Sequence, residues 1–286
     1  MPTPLPSFAP SFERFGPSVP ASPVVLSAPH AGRDYPPALR AGLRVPIRAL
    51  LPLEDRFADL LALAARGGET LFVQRRARAW IDLNRGEDER DPKLDEGATI
   101  ASQPLESAKI RSGLGLVPRR VAGAGEIWRR KLSSDDVEAR IVENHRPYHA
   151  ALTEALAAAR ARFGVAVLLD VHSMPPLGTG AQLVVGDRFG RAAGSRFVAR
   201  LETVAQACGV ACAINTPYAG GHILDRHGRP GQGIHAIQVE FDRALYLDAQ
   251  FDAPGPGMAE TAQMLRAMID SLADEAIGGG VALAAE

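Results

Sequence analysis

The sequence predicts an α/β protein in which a mostly parallel or mixed central sheet is sandwiched by helices. Three observations carry that expectation. Short β-branched runs alternate along the chain with segments of helical periodicity, the pattern of strand–helix–strand units. The run VAVLLDVH (165–172) is apolar at most positions, as a central strand covered on both faces must be. The 286 residues are 46% hydrophobic and 23% charged, ample for one large core, and no segment reads as a linker. A single domain over 1–286 is therefore expected.

The elements follow in order. The first 20 residues are rich in proline and are expected to lie extended on the surface. PVVLSAP (23–29) reads as a strand ended by proline. LEDRFADLLALAAR (53–66) has helical spacing, with Leu53, Phe57, Leu60, Leu61 and Ala64 on one face. TLFVQRR (70–76) and RAWIDLNR (78–85) read as two strands, which a hairpin could join. Residues 86–131 are charged, glycine-rich and too long for a plain connector, so they are expected to form an active-site loop region with some short helix. The stretch 133–163 is strongly helical, with Ser134 and the following acids at its start and Pro147 set to kink it or split it in two. AQLVVGD (181–187) is a strand and 191–208 a helix. VACAINTP (210–217) and GIHAIQVEF (233–241) are further strands, and a helix over 258–277 closes the chain.

Composition excludes some classes of function. Net charge is −1 with acids and bases interspersed, which offers no basic face to nucleic acid. No apolar run is long enough for a membrane helix. The start MPTPLPSFAPSF has neither the charged nor the apolar region of a secretory signal, so a cytoplasmic protein is expected. The two cysteines, Cys208 and Cys212, read as reduced core residues. A disulfide, or half of a four-cysteine zinc site shared between chains, is the other reading of the pair.

In such sheets ligands gather at the carboxyl ends of the strands. The first strand runs into Pro29-His30-Ala31-Gly32, and RAWIDLNR ends in Asn84-Arg85. VAVLLDVH ends in His172, two residues after Asp170, while GIHAIQVEF carries Glu240 near its end with Arg243 just beyond. Each has a plain alternative: a surface histidine for His30, a core histidine bonded to Asp170 for His172, an ion pair with Arg85 or Arg243 for Glu240. A carboxylate between Val239 and Phe241 nevertheless needs a partner or a task, because burying an unpaired charge is costly. Two histidines, a carboxylate and an open position make a mononuclear hydrolytic zinc site. There zinc lowers the pKa of water toward ~7. A nearby glutamate moves the proton, and arginines grip carboxylates in bidentate fashion. Asp170 or a backbone carbonyl would orient a ligand histidine. The third ligand stays open between Asp34, Glu54 and Asp55, and the last two also suit a helix's first turn on dipole grounds.

Other groups read more plainly. His145 and His149 stand at i, i+4, but no HExxH glutamate lies between them and Pro147 disturbs the turn, so packing is the expectation. Ser27 and Ser173 lack the G-x-S-x-G elbow. SGLGLVPRR (112–120) lacks the lysine of a phosphate loop. The paired glycines of YAGGHI (218–223) suit either a turn or a close approach of backbone to ligand, and His222 is open to either reading.

The stretches SAPHAGRDYP (27–36), LEDRFADLL (53–61), WIDLNR (80–85), GLGLVPRR (113–120), HRPYHAAL (145–152), DVHSMP (170–175), PYAGGHI (217–223) and HAIQVEFDRALYLD (235–248) together resemble the N-formylglutamate amidohydrolases. They occur in that family's order and span about 23 to 250. The resemblance implies a zinc-carboxypeptidase-like fold and one Zn2+ per chain, another divalent metal being the alternative. It implies His30, His172 and Asp55 as the metal ligands. Arg33 stands where the carboxypeptidase His-x-x-Glu pattern has its glutamate, so Glu54 and Asp34 remain behind Asp55. It implies Glu240 as general base and then acid. Asn84 and Arg85 resemble the carboxypeptidase pair that grips a terminal carboxylate. The implied substrate is a small dianionic N-acyl amino acid, N-formyl-L-glutamate, cleaved to formate and L-glutamate in histidine degradation. Arg85 and Arg243 would share its two carboxylates, and Arg119 or Arg120 would face the oxyanion. The competing readings are the same chemistry on another N-acyl amino acid or small peptide, a zinc carboxypeptidase, and a non-catalytic binding module; the presence of Glu240 speaks against the last.

Overall fold

The computed structural model describes residues 10–99 and 108–283. In chain order the strands are β1 (Phe12–Phe15), β2 (Val24–Ala28), β3 (Thr70–Gln74), β4 (Arg120–Val121), β5 (Gly125–Glu126), β6 (Ala166–Met174), β7 (Leu183–Gly186), β8 (Cys212–Ile214) and β9 (Ile234–Asp242). The helices are α1 (Pro37–Gly42), α2 (Ala58–Ala65), α3 (Ala108–Ser112), α4 (Ser134–Arg140), α5 (Arg146–Phe163), α6 (Ser195–Ala207), α7 (His222–His227) and α8 (Met258–Leu283). Seven strands form one sheet in the order β1-β3-β2-β6-β9-β7-β8, and β4 and β5 make a separate hairpin. The centre, β3-β2-β6-β9, is parallel. β1 and β7 join it antiparallel and β8 runs parallel to β7, so the sheet is mixed.

Each central strand presents two different faces. On one, Val167, Leu169 and Val171 of β6 and Ile237, Val239 and Phe241 of β9 pack beneath α2, α6 and α8. On the other, Ala166, Leu168 and Ala236 pack beneath α5 and α7. On that second face the apolar series stops halfway: β6 continues with Asp170 and His172, and β9 with Gln238 and Glu240. The period of two places all four polar side chains on the same face at the carboxyl ends of neighbouring strands.

The expected helix over 133–163 is divided where Pro147 predicts. α4 is capped by Ser133, not Ser134: the Ser133 Oγ accepts from Asp136 N at 3.1 Å. A π turn over Ile141–His145 then leads into α5, whose first turn holds Pro147.

Several expectations are corrected. Residues 78–85 are not a strand but a run of turns. Asp82 Oδ1 accepts from Asn84 N at 2.8 Å and Trp80 N donates to Ala77 O at 2.8 Å, so local bonds replace a ladder even though Ile81 and Leu83 are buried. The helix expected over 53–66 is broken. A 3-10 segment ends at Leu53, Glu54 is extended, Phe57 is left-handed at φ 59°, and only Ala58–Ala65 is α-helical. The N-terminal segment contributes an edge strand, β1, while residues 1–9 lie outside the described residues. The loop region 86–131 contains α3 and the β4–β5 hairpin, and its residues 100–107 likewise lie outside them. Both cysteines are free thiols; Cys208 is exposed, not a core residue, and Cys212 is half-buried against the edge of the core. Among the described residues no helix is long and apolar enough to cross a membrane.

Candidate metal and substrate site

The broken helix is what brings Asp55 to the strand ends. Because 54–57 is not helical, Asp55 N is free to donate to His30 O at 2.9 Å, which ties this turn to the loop after β2. The Asp55 carboxylate then lies between the two histidines. Its Oδ2 is 2.9 Å from His172 Nδ1 and 3.6 Å from His30 Nδ1. One donor atom from each of the three residues lies within 4.8 Å of the others, and all three side chains are buried.

The opposite edge of each imidazole is also fixed by a carboxylate. His30 Nε2 donates to Asp82 Oδ1 at 2.7 Å, and His172 Nε2 donates to Asp170 Oδ2 at 2.8 Å. Asp170 in turn accepts from Ser27 Oγ at 2.6 Å. Histidines that ligate a metal characteristically donate their second N–H to a carboxylate, which leaves the other nitrogen's lone pair for the ion. With both Nδ1 atoms turned toward one Asp55 oxygen, the donor set fits a divalent metal of the zinc type. The closeness of these groups also shifts their pKa values. Burial disfavours the His172 imidazolium, but Asp170 and Asp55 outweigh it and hold the pKa well above its ordinary value. Burial would raise Asp55, yet its bonds to His172 and His30 hold it far below the usual carboxylate range.

Glu240 stands directly across from His172 in the β6–β9 register. Its Oε1 accepts from Gln238 Nε2 at 2.7 Å. Burial pushes its pKa up to about 8, against the attraction of His172 and with the repulsion of Asp55. No ion pair joins Glu240 to Arg85 or Arg243 among the described residues, so the structural-pair alternative for Glu240 finds no partner there.

These groups open into a cleft of ≈ 320 Å³. His30, Asp55, His172 and Glu240 line it together with Asn84, Arg78, Arg85, Lys109, Tyr218 and Arg243. Arg243 is braced by Ser173 Oγ at 3.1 Å and by Glu54 O at 2.6 Å. Arg85 Nε donates to Leu114 O at 3.0 Å, tying the cleft wall to the long loop. Asn84 Oδ1 accepts from Ile223 N at 2.9 Å at the start of α7. That approach requires Gly221, where a Cβ would lie 2.6 Å from Asn84 Oδ1. Gly221 thus serves a close approach to the cleft's own wall, while Gly220 before it takes a left-handed φ of 97°.

Other sequence candidates fall elsewhere. Glu54 points away, bonded to Tyr35 Oη and, at 3.1 Å, to Arg56 Nη1. Asp34 pairs with Arg76 near the surface. Arg119 is held by Asp91 at 2.7 Å and by Glu126, outside the cleft, and Arg120 is half-exposed beside Glu126. Sequence reasoning missed Asp82, Arg78, Lys109 and Gln238. Arg78 bridges Asp82 Oδ2 at 2.8 Å from the cleft wall. The i, i+4 spacing of Arg78 and Asp82 is a signal for the pair, and a strand expected over 78–85 hides it. Burial and the repulsion of Arg85 and Arg78 lower the Lys109 pKa.

So dense a group of buried acids and histidines at the strand ends of an α/β sheet belongs to hydrolytic chemistry, and in class the chain is an amidohydrolase. The family is that of the N-formylglutamate amidohydrolases, to which the chain belongs: the family's model matches residues 22–247. The chain is 30% identical over 267 residues to an N-formylglutamate deformylase of Pseudomonas aeruginosa, covering 90% of this chain and 94% of that protein. It is also 30% identical over 260 residues to one of Pseudomonas putida, covering 86% and 92% respectively. The crystal structure of N-formylglutamate amidohydrolase from Ralstonia eutropha superposes with a TM-score of 0.85 at 31% identity, over 95% of this chain and 100% of that one. A gene product of Agrobacterium tumefaciens, at 17% identity and a TM-score of 0.56 over 97% of each chain, shares the fold.

Proposed function

We propose that the chain hydrolyses the formyl amide of N-formyl-L-glutamate to formate and L-glutamate. The observation that carries this reading is the pairing of Glu240 with the His30–Asp55–His172 group inside a cleft walled by arginines and a lysine. Membership of the family and the names of the Pseudomonas relatives support the substrate.

His30, Asp55 and His172 would hold a divalent cation, with zinc the best match to two imidazoles and a carboxylate. Such an ion supplies Lewis acidity toward the carbonyl and makes water a nucleophile near neutral pH. The chain's residues do the rest. Asp82 and Asp170 keep each imidazole turned with Nδ1 inward. Glu240 takes a proton from the attacking water and delivers it to the leaving nitrogen. A dianionic substrate needs at least two cations, and Arg85 and Arg243 take its carboxylates, with Asn84 beside Arg85. Arg78 and Lys109 line the same cleft and are nearer candidates for the oxyanion than Arg119, whose guanidinium is committed to Asp91 and Glu126. The place of this reaction in histidine degradation is the one the family resemblance implies.

The test is hydrolysis of N-formyl-L-glutamate by the purified protein before chelation, after it, and after zinc is returned. Formate release that vanishes and returns supports both substrate and metal. A zinc-loaded protein that leaves N-formylglutamate intact but cleaves another N-acyl amino acid overturns the substrate and keeps the chemistry.

A further inference from the structure

A second group of histidines lies behind the cleft, and no step assigned above uses it. His145 closes the π turn before α5, His149 follows within α5, and His222 and His227 begin and end α7. The rings of His145 and His149 are 4.3 Å apart between centroids, and those of His149 and His222 are 5.2 Å apart. Their tautomers can be read from fixed acceptors. His145 Nε2 donates to Arg85 O at 2.8 Å and His149 Nε2 donates to Leu83 O at 3.0 Å. A carbonyl only accepts, so both Nε2 atoms carry the proton and both Nδ1 atoms carry a lone pair. The His149 Nδ1 accepts from His227 Nε2 at 2.9 Å. His145 Nδ1 and His222 Nε2 are buried nitrogens with no hydrogen-bond partner among the described residues. Buried polar atoms without a partner are rare, and two in one cluster point to a ligand that satisfies both.

We propose that His145, His149 and His222 form a second metal site, for a divalent transition metal, that fastens the Leu83–Arg85 segment to α5 and α7. One nitrogen from each ring lies within 4.8 Å of those of the other two. Glu87 Oε1, 3.7 Å from His145 Nδ1, is placed to reach a fourth position. The second N–H of both His145 and His149 is taken by a backbone carbonyl, which is the outer-shell arrangement of ligating histidines. Three imidazoles select zinc, cobalt, nickel or copper over magnesium or calcium. The cation competes with His227 for the His149 lone pair. It also differs in purpose from the first site: its neighbours are the carbonyls of the substrate-facing segment, so it acts on the placement of Asn84 and Arg85 and not on the reacting amide.

The test uses the full chain, stripped by chelator and titrated with Zn2+, with bound metal counted directly and Tm followed in parallel. His172→Ala removes the first cluster and leaves the second. The wild type is expected to take up two equivalents and His172→Ala one. That remaining Zn2+ raises the Tm of His172→Ala by mass action. Adding His222→Gln, at the half-buried edge of the cluster, weakens this binding by at least about 10–100-fold, the size of an outer-shell loss, and abolishes the rise in Tm. Co2+ in His172→Ala gives a visible absorption that disappears with the same substitution. The proposal fails if His172→Ala binds no cation while the wild type binds one. It fails equally if Zn2+ binding by His172→Ala survives both His222→Gln and His145→Gln. The metal-free Tm of each variant separates loss of a ligand from loss of the fold.

Discussion

His172 on β6 faces Glu240 on β9 at the same level of the sheet, so an imidazole whose pKa is raised by Asp170 and Asp55 lies beside a carboxyl group whose pKa is raised by burial. Under the proposed function the pair would join a metal ligand to a proton carrier. Glu240→Gln keeps the shape and can still accept from Gln238 Nε2, so fold and metal content are expected to stay. Loss of a positioned general base lowers kcat by about 10²–10⁴-fold. Steady-state kinetics alongside metal analysis decide it. A variant with near-normal kcat and a lowered Tm would make Glu240 a structural residue.

Asp82 is the partner that orients His30, and it was invisible as a functional residue in the sequence. It is fully buried and held well below the usual carboxylate range: burial works against the charge, but Arg78, His30 and Arg85 outweigh it. Asp82→Asn leaves His30 free to present the wrong nitrogen. Outer-shell losses of this kind weaken metal binding by about 10–100-fold. Competition with a chromophoric chelator would reveal it, and an unchanged affinity would mean that His30 is not held as a ligand by Asp82.

The alternation along β6 and β9 explains how far the site could be read from sequence. In VAVLLDVHSM one set of alternate positions stays apolar while the other turns from Ala166 and Leu168 to Asp170 and His172. IHAIQVEFD does the same with Ala236, Gln238 and Glu240. Period two and the rule of strand ends were therefore enough to place His172 and Glu240. Asp55 and Asp82 were less legible because neither sits in a repeating element. Asp55 depends on Phe57 adopting a left-handed backbone, and Asp82 on turns stabilised by its own side chain. Backbone conformation at Phe57 and local side-chain bonds at Asp82 override the apolar pattern, by which residues 53–57 read as helix and 78–85 as strand. Arg119 lies outside the cleft because Asp91, 28 residues earlier in the chain, and Glu126, across the β4–β5 hairpin, take its guanidinium.

Arg85 gives a prediction about substrate. Its guanidinium lines the cleft and is anchored by Leu114 O and Asn84 O, at 3.0 and 2.6 Å. A hydrogen bond to a charged group contributes about 1.5–3 kcal/mol, so Arg85→Ala is expected to raise KM on the order of 10–100-fold. Metal content should be unaffected, and kcat should change far less than KM. An unchanged KM for N-formyl-L-glutamate would remove Arg85 from carboxylate recognition.

The metal-free protein should lose stability in acid through its buried histidines. Burial, followed by repulsion from Arg226 and the neighbouring imidazoles, lowers His227 to about 3 and His222 to about 4. Burial and the like charges of His145 and His227 hold His149 well below its ordinary value, while burial lowers His145 against the pull of Glu87. These groups are depressed in the folded state relative to about 6.5 in the unfolded chain. The unfolded state therefore binds more protons between pH ~6.5 and ~4, and stability falls as pH drops through that window. His172 and Glu240, both raised, act in the opposite sense, so the test is best made as a difference. His227→Gln can still donate to His149 Nδ1 but cannot titrate. With chelator present, its Tm should fall less than that of the wild type between pH 7 and 4.5, by about 5 °C or more. Parallel curves for the two proteins would show that His227 is not held neutral by its surroundings.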